Sequence, residues 1–144
     1  LIKKKFRMLV NRFSDNMASI VSQKATKSKS GLKIYGIYDD EIGDDYYIAL
    51  GENSINIDPF LVYVALIQDQ ERIKVIVFVG EESRKIIKAS RIAKEISLKL
   101  GGTGGGGTDK FAQGGGRDKS KIHDCLKNLG NLLTDILDSS EKNG

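Results

Sequence analysis

Residues 101–116 read GGTGGGGTDKFAQGGG and contain nine of the 16 glycines in the 144-residue chain. Glycine costs roughly 1 kcal/mol more conformational freedom on folding than alanine does, so this density needs a structural reason. A flexible linker is usually rich in serine and has no apolar anchor, whereas Phe111 and Ala112 stand inside this segment. Side-chain-free backbone instead allows successive N–H groups to approach an anion or a neighbouring chain segment. We therefore predict an ordered glycine-rich loop.

The generic nucleotide-binding motifs do not account for these glycines. Residues 102–107 formally satisfy GxGxxG, but that fingerprint follows a strand and opens a helix, and here a predicted helix precedes it. A P-loop requires a lysine followed by serine or threonine after its last glycine, whereas Thr108 and Asp109 follow Gly107. Neither motif is therefore predicted to bind a nucleotide in this chain.

Amphipathic helices are predicted on both sides of the glycine segment. Residues 84–100 have apolar side chains at helical spacing, and Gly101 is expected to end this helix in the left-handed conformation. The second helix begins near Asp118 or Ser120, either of which is a favourable N-cap. The side chains predicted to face the core are Ile86, Ala89, Ala93, Ile96, Leu100, Ile122, Leu126, Leu129, Leu133, Ile136 and Leu137.

Upstream of these helices the pattern predicts strands and one further helix. Residues 32–38 and 46–50 predict two short strands, joined as a hairpin by an acidic turn. Asp58 followed by Pro59 predicts the start of a helix that continues to about residue 70. Residues 75–79 form a continuous β-branched and aromatic run, which predicts a strand buried on both faces.

These elements predict a small α/β fold, in which a few-stranded sheet is covered by helices and carries the glycine-rich loop, preceded by a helical arm. The arm is predicted to span residues 1–30, and the globular domain residues 31–144. Within the arm, residues 2–21 place an apolar stripe opposite a basic face. The stripe is expected to pack against protein, and a basic helix on a membrane surface is the alternative. If the stripe packs against a second copy of the chain, the predicted interface residues are Phe6, Leu9, Phe13 and Ile20.

Basic charge is concentrated at the start of the chain. Residues 1–34 contain nine Lys or Arg and one Asp, a balance of +8, whereas the whole chain has a net charge of +4. Residues 35–144 therefore carry a balance of −4. The basic arm suggests an anionic partner or polyanion, although a solvated helix face explains the same charges.

The composition excludes several classes of protein. The longest apolar stretch, residues 60–67, is far shorter than the roughly 20 residues of a membrane-spanning helix, and no signal-peptide pattern follows Leu1. A single cysteine, Cys125, excludes an internal disulfide and fits a reducing compartment. His123 and Cys125 alone are too few ligands for zinc. We therefore expect a cytoplasmic protein without a metal site, and not a secreted, membrane-inserted or zinc-finger protein.

The glycine segment resembles a specific family signature. A GG-x-GGG run, then Asp109, then Ala112-Gln113 and a second glycine cluster, is similar to the C-terminal (C-Ala type) domain of alanyl-tRNA synthetase, in an archaeal-like form. The wider class is the DHH-associated domain, which also follows DHH-type phosphoesterases. Those enzymes usually carry GGG-His followed by small residues, whereas Phe111-Ala112-Gln113-Gly114 is similar to the synthetase branch. The resemblance covers residues 72–137. It departs from the family at Gly107 and Thr108, where many members have a basic residue and a proline.

This resemblance implies a non-catalytic domain of an alanine–tRNA ligase. The expected roles are contact with the outer corner of tRNA(Ala), connection of the aminoacylation and editing modules, and dimerisation through the helical arm. The expected partners are therefore tRNA(Ala), the rest of the synthetase chain and a second copy. No catalytic residue and no cofactor are expected in this fragment, and no membrane partner.

The predicted RNA-binding residues are the glycine segment and the cations that flank it, because folded RNA is recognised through its shape, phosphates and 2′-hydroxyls. They are Lys88, Arg91, Lys94, Gly104, Gly105, Gly106, Lys110, Gln113, Gly114, Arg117, Lys119 and Lys121. Three alternatives stay open: the cations are merely solvated and the loop packs against the sheet; the domain serves a DHH-type phosphoesterase; or it is a protein–protein interaction module without an RNA role.

Overall fold

The computed structural model describes residues 17–28, 31–40 and 43–143, which contain a six-stranded sheet. Residues 17–24 are helical. The strands are β1 (Thr26–Lys27), β2 (Lys33–Asp39), β3 (Leu61–Asp69), β4 (Arg72–Val79), β5 (Gly106–Gly107) and β6 (Phe111–Gly116). The helices are α1 (Asp44–Ile57), α2 (Ala89–Lys99), α3 (Ile122–Lys127) and α4 (Leu129–Asn143). Ser83–Lys85 and Lys119–Lys121 form short 3-10 helical turns.

The strands lie in the order β1-β2-β3-β4-β6-β5. Strands β2 and β3 are parallel, and the other neighbouring pairs are antiparallel. A parallel pair requires a crossover connection, and α1 supplies it between β2 and β3. This topology confirms the predicted mixed α/β class.

Strands β3 and β4 form the centre of the sheet and are buried on both faces. Consecutive residues of β3, such as Val62 and Tyr63, are fully buried in two separate hydrophobic cores on opposite faces of the sheet. The core that contains Val62 packs against α2, α3 and α4, whereas the core that contains Tyr63 packs against α1 and the helical residues near Val21. Burial of one such aliphatic side chain contributes about 1.5–3 kcal/mol, so the two-sided burial of β3 and β4 dominates the stability of the fold.

The predicted strand at residues 46–50 is wrong, because these residues belong to α1. Asp44 and Asp45 occupy the first helical turn, where negative charge interacts favourably with the helix dipole. The buried face recurs at helical spacing but includes Gly51 and Ser54, which carry no apolar signal. Gly51 is required there, since a Cβ would lie 2.7 Å from the ring of Tyr63. Small residues in the buried face therefore hid the helical period.

The predicted helix after Asp58 is also wrong, because β3 begins at Leu61. Asp58 instead follows the end of α1, and its side chain accepts a hydrogen bond from the Phe60 N–H at 3.1 Å. The same Asp-Pro pair therefore makes a turn into a strand. A strand that is buried on both faces has no period of two, so the apolar run did not distinguish a strand from a buried helix.

The second half of the chain follows the prediction with two corrections. Helix α2 begins at Ala89 rather than at residue 84, and Ile86 is 51% exposed while its neighbour Ile87 is 3% exposed. The last helix is divided into α3 and α4 near Asn128. Asp118 acts as an N-cap, as predicted, but for the 3-10 turn that precedes α3, where it accepts from the Ser120 N–H.

Residues on both sides of position 30 contact the sheet. Ala18 and Val21 are buried, and β1 pairs with β2 through Thr26 and Lys27. The division into an arm and a globular domain at residue 30 stays a prediction. Among the helices in the described ranges, none is long and apolar enough to cross a membrane.

Candidate nucleic-acid interface

The glycine segment is ordered, and only its first part is a loop. Residues 101–105 connect α2 to β5, and a turn at residues 108–110 then leads into β6. Gly114, Gly115 and Gly116 lie in β6, opposite Val75, Lys74 and Ile73 of β4. The predicted glycine-rich loop is therefore a loop followed by a hairpin, and its second glycine cluster is part of the sheet.

Several of the glycines are required because α2 lies directly on β6. A Cβ at Gly114 would lie well inside 3.0 Å of Ser97 Oγ, and a Cβ at Gly116 would lie 2.6 Å from the Leu100 carbonyl oxygen. Ser97 is fully buried, accepts a hydrogen bond from the Gly115 N–H at 3.2 Å and donates one to the Ala93 carbonyl at 2.6 Å. Close approach of helix and strand thus explains the second glycine cluster.

The loop at residues 101–105 contains glycines with a different role. Gly101 has a φ of +80°, which confirms the predicted left-handed end of the helix, and Gly104 has a φ of +132°. Gly105 lies against β6, since a Cβ there would be 2.6 Å from the Gln113 carbonyl oxygen, whereas Gly106 is exposed with nothing near its Cβ position. The loop therefore lies along β6 and leaves part of its backbone exposed.

The cations that precede the loop lie on the exposed side of α2. Lys88 immediately precedes α2, and its Nζ is 3.9 Å from an Asp109 carboxylate oxygen. Arg91 forms an i, i+4 pair with Glu95 at 3.2 Å. Lys94 forms no ion pair within the described part of the chain, and its Cγ would be 3.8 Å from a Cβ at Gly104. Of these three cations, Lys94 is the one that adjoins the glycine loop.

The turn at residues 108–110 lies at the other end of α2. The carbonyl groups of Asp109 and Thr108 accept hydrogen bonds from the first N–H groups of α2, at Ala89 and Ser90. Lys110 extends toward α1, where its Nζ is 3.7 Å from a Glu52 carboxylate oxygen. Since α2 has 11 residues, this end is about 16 Å from the loop at residues 101–105.

The cations that follow β6 lie near the C-terminal end of α2. The N–H groups of Arg117 and Asp118 both donate to the Leu100 carbonyl at 2.9 Å, so positive charge on Arg117 stands at the negative end of the helix dipole. Lys119 and Lys121 are exposed in the following 3-10 turn. The structure therefore brings Gly104 and Arg117 to the C-terminal end of α2, with Lys94 beside Gly104 on the middle of the helix and Gly114 half-buried beneath it.

The remaining predicted residues are more distant from this group. Gln113 is half-buried in β6, between Ile76 and Gly106. Of the predicted dimer-interface residues, Ile20 is half-buried in a helical segment; the other three, Phe6, Leu9 and Phe13, lie outside the described residues.

Sequence reasoning missed one cation at this end of the domain. Arg72 is exposed at the start of β4 and lines the same depression as Arg117 and the loop glycines. The sequence predicted a helix through about residue 70, and a helix there would not place Arg72 on a strand beside β6. A β3–β4 hairpin, with its tight turn at Gln70 and Glu71, is the signal that locates Arg72.

His123 and Cys125 lie on α3, His123 exposed and Cys125 buried. Burial raises the pKa of the Cys125 thiol, although the charge of Lys99 opposes this shift. Among the described residues, no group of three or more His, Cys, Asp or Glu side chains is placed to hold a metal ion.

Comparison with known proteins identifies the family to which this domain belongs. Residues 48–135 match the DHHA1 domain, and the chain belongs to the DHHA1 domain family. Its curated relatives are alanine–tRNA ligases: that of Rickettsia canadensis is 32% identical over 111 residues, which are 77% of this chain and 13% of that protein. The corresponding figures for the Cenarchaeum symbiosum enzyme are 34% over 93 residues, 64% of this chain and 10% of that protein. The chain thus spans about an eighth or less of these relatives.

A solved structure supports the same assignment at the level of the fold. The C-Ala domain of alanyl-tRNA synthetase from Aquifex aeolicus superposes with a TM-score of 0.66 at 21% identity, covering 75% of this chain and 95% of that domain. The sequence-based resemblance to the C-Ala type of DHH-associated domain is confirmed.

Proposed function

We propose that this chain is a non-catalytic tRNA-binding domain of a cytoplasmic alanine–tRNA ligase. It contacts the outer corner of tRNA(Ala), connects the aminoacylation and editing modules, and dimerises through its helical arm. The observation that carries the RNA-binding role is the exposed glycine loop between Lys94 and Arg117. Folded RNA presents phosphates and 2′-hydroxyls on a rigid surface, and an ordered backbone surface between two cations is complementary to it.

The electrostatics of the surface along α2 favour a polyanion. Lys94 and Arg117 form no ion pair with any carboxylate of the described residues. Arg91 and Lys88 are paired but exposed, and exposed pairs contribute only about 0–1 kcal/mol. Their cations can therefore exchange a carboxylate for a phosphate at little cost.

The test is a salt titration of tRNA(Ala) binding by the double variant Arg91→Glu, Arg117→Glu. We expect the variant to bind about 10- to 100-fold more weakly and to have a shallower dependence of log Kd on log salt, by about one for each lost phosphate contact. The matched control is Lys24→Glu with Lys27→Glu, at the opposite edge of the sheet near β1. Equal losses in both variants, or no loss in the first, would contradict the proposed surface. If the wild-type protein does not bind tRNA, the result would instead favour the alternative that the domain is a protein–protein interaction module.

The dimerisation role rests on the apolar stripe of residues 2–21 and is tested separately. Sedimentation should show a mass that rises with concentration, and Phe6→Asp with Phe13→Asp should abolish that rise. A wild-type protein that stays monomeric at high concentration would remove the dimer from the proposal and leave the RNA-binding role intact.

A further inference from the structure

A depression of about 520 Å³ lies at the end of the glycine hairpin where α2 stops. Its walls are Ile73, Thr103 and five glycines, and its charged lining residues within the described ranges are Arg72 and Arg117. Among the residues that the structure describes, no carboxylate is part of its lining. We refer to it as the arginine notch. A concave surface made almost entirely of backbone, with two guanidinium groups and no anion, has the composition of a phosphate site.

Two backbone N–H groups that line the notch have no acceptor among the described residues. Most of the lining N–H groups are used: Gly101 donates to the Leu98 carbonyl and Gly102 to the Ser97 carbonyl. The N–H groups of Thr103 and Gly104, in contrast, donate to no acceptor in the part of the chain that the structure describes. Two consecutive N–H donors without a partner therefore line the same depression as two arginines, and unpaired backbone donors in a loop are the groups that bind anions elsewhere.

The hairpin between β3 and β4 places Arg72 in the notch. The turn is tight, with Gln70 at a φ of +54°, and β4 begins at Arg72. Strand β6 ends opposite Ile73, so Arg72 extends one residue past the pairing with β6. Its guanidinium forms no ion pair with the described residues, although Asp69 lies opposite it in the hairpin.

Acidic residues lie near Arg72, but outside the lining of the notch. A second depression, on the other side of Arg72, is lined by Asp40, Asp44 and Asp69. Asp44 is paired with Lys74 there. Repulsion between these carboxylates and an approaching phosphate favours the glycine side of Arg72, where the lining carries no negative charge.

We propose that the notch binds one backbone phosphate of the RNA, held by the guanidinium groups of Arg72 and Arg117 and by the N–H groups of Thr103 and Gly104. This inference rests on the proposed RNA-binding function and adds Arg72, which lies outside the glycine signature. Arginine suits this position because its planar guanidinium donates two parallel hydrogen bonds to a phosphate, whereas lysine offers a single point charge.

The test compares tRNA(Ala) binding across a salt series for Arg72→Ala, Arg117→Ala and the double variant. Each single variant should bind about tenfold more weakly and lower the slope of log Kd against log salt by about one. Because both side chains contact the same phosphate, the double variant should lose less than the product of the single effects. Arg72→Lys should recover only part of the affinity. The control is Lys24→Ala, which removes an exposed cation at the far edge of the sheet, and circular dichroism checks that each variant is folded.

The outcomes separate this inference from the function on which it rests. If Arg72→Ala binds like the wild type while the Arg91 and Arg117 variants bind weakly, the notch assignment is wrong and the RNA-binding role stands. If the wild type does not bind tRNA, the proposed function fails first. A third arm adds inorganic phosphate: stabilisation of the wild type that Arg72→Ala abolishes, together with unchanged tRNA binding by that variant, would make the notch a free-phosphate site and overturn the RNA assignment.

Discussion

Substitution of Gly114 by alanine tests whether the second glycine cluster holds α2 against the sheet. The new methyl group would overlap Ser97 Oγ and would lie 3.2 Å from the Ala93 carbonyl oxygen and 3.3 Å from Ser97 Cβ. Two responses are available. Ser97 rotates away and loses its hydrogen bonds to Gly115 and Ala93, each contributing about 0.5–1.5 kcal/mol, or α2 moves away from β6, which costs about 1–3 kcal/mol as overpacking.

Either response leads us to expect that Gly114→Ala lowers the free energy of unfolding by about 2–4 kcal/mol. In a chain of this length the corresponding decrease in Tm is roughly 6–16 °C. Urea unfolding followed by circular dichroism measures the change. Gly106→Ala is the matched control, because Gly106 is exposed, has no atom near its Cβ position and does not have a positive φ. Its effect should stay within about 0.5 kcal/mol.

A double-mutant cycle identifies the atom responsible. In a Ser97→Ala background the overlapping oxygen is gone, and the remaining contacts of the new Cβ, at 3.2 and 3.3 Å, need adjustments of only a few tenths of an ångström. Gly114→Ala should then cost less than about 1 kcal/mol, so the two substitutions are strongly coupled. Equal costs in the two backgrounds, or a Gly114→Ala effect no larger than that of Gly106→Ala, would refute the packing explanation.

Two further predictions concern groups with shifted pKa values. Burial alone would raise the pKa of Asp58, but hydrogen bonds from Lys33, Ser22 and the Phe60 N–H lower it; the carboxylate therefore stabilises the fold at neutral pH, and this contribution is lost as pH falls through its lowered folded-state pKa. Asp58→Asn should reduce the free energy of unfolding by about 2 kcal/mol at pH 7 and by less at pH 3, which is below the unfolded-state pKa of an aspartate, and an identical reduction at both pH values in urea unfolding would contradict this. Burial raises the pKa of the Cys125 thiol, so its reaction with a thiol reagent at pH 8 should be slow and should accelerate sharply in denaturant; complete rapid reaction of the native protein would show that Cys125 is accessible.

The sequence predicted the elements around the glycine segment because each produces a distinct local signal. β4 contains a continuous apolar run, and α2 buries Ala89, Ala93 and Ile96 as the spacing predicted, with Leu100 buried directly after the helix. Gly101 ended the helix as expected. These patterns depend on residues that are close together in the sequence. In this part of the chain the tertiary structure agrees with what the local sequence favours.

The first half was mispredicted where tertiary packing overrode the local pattern. In α1 the buried face includes Gly51, which is small because Phe78 and Tyr63 occupy the space a side chain would need. Such a glycine has the appearance of a helix breaker when only the sequence is considered. The sequence predicted a strand where α1 lies and a helix where β3 lies. With these elements Arg72 was not part of the predicted surface, because its position next to Arg117 depends on the pairing of β4 with β6.

The departure of this chain from its family at residues 107 and 108 can now be assigned a place in the fold. Thr108 and Asp109 accept hydrogen bonds from the first N–H groups of α2, so the basic residue that many members carry would stand at the N-terminal end of this helix. That end is about 16 Å from the arginine notch, so it is separate from the group formed by Arg72 and Arg117. Lys88 lies at this N-terminal end of α2, with its ammonium 3.9 Å from an Asp109 carboxylate oxygen. The surface that we propose for RNA therefore has two separate cationic ends, with Lys88 at one and Arg72 and Arg117 at the other, and the exposed side of α2 connects them.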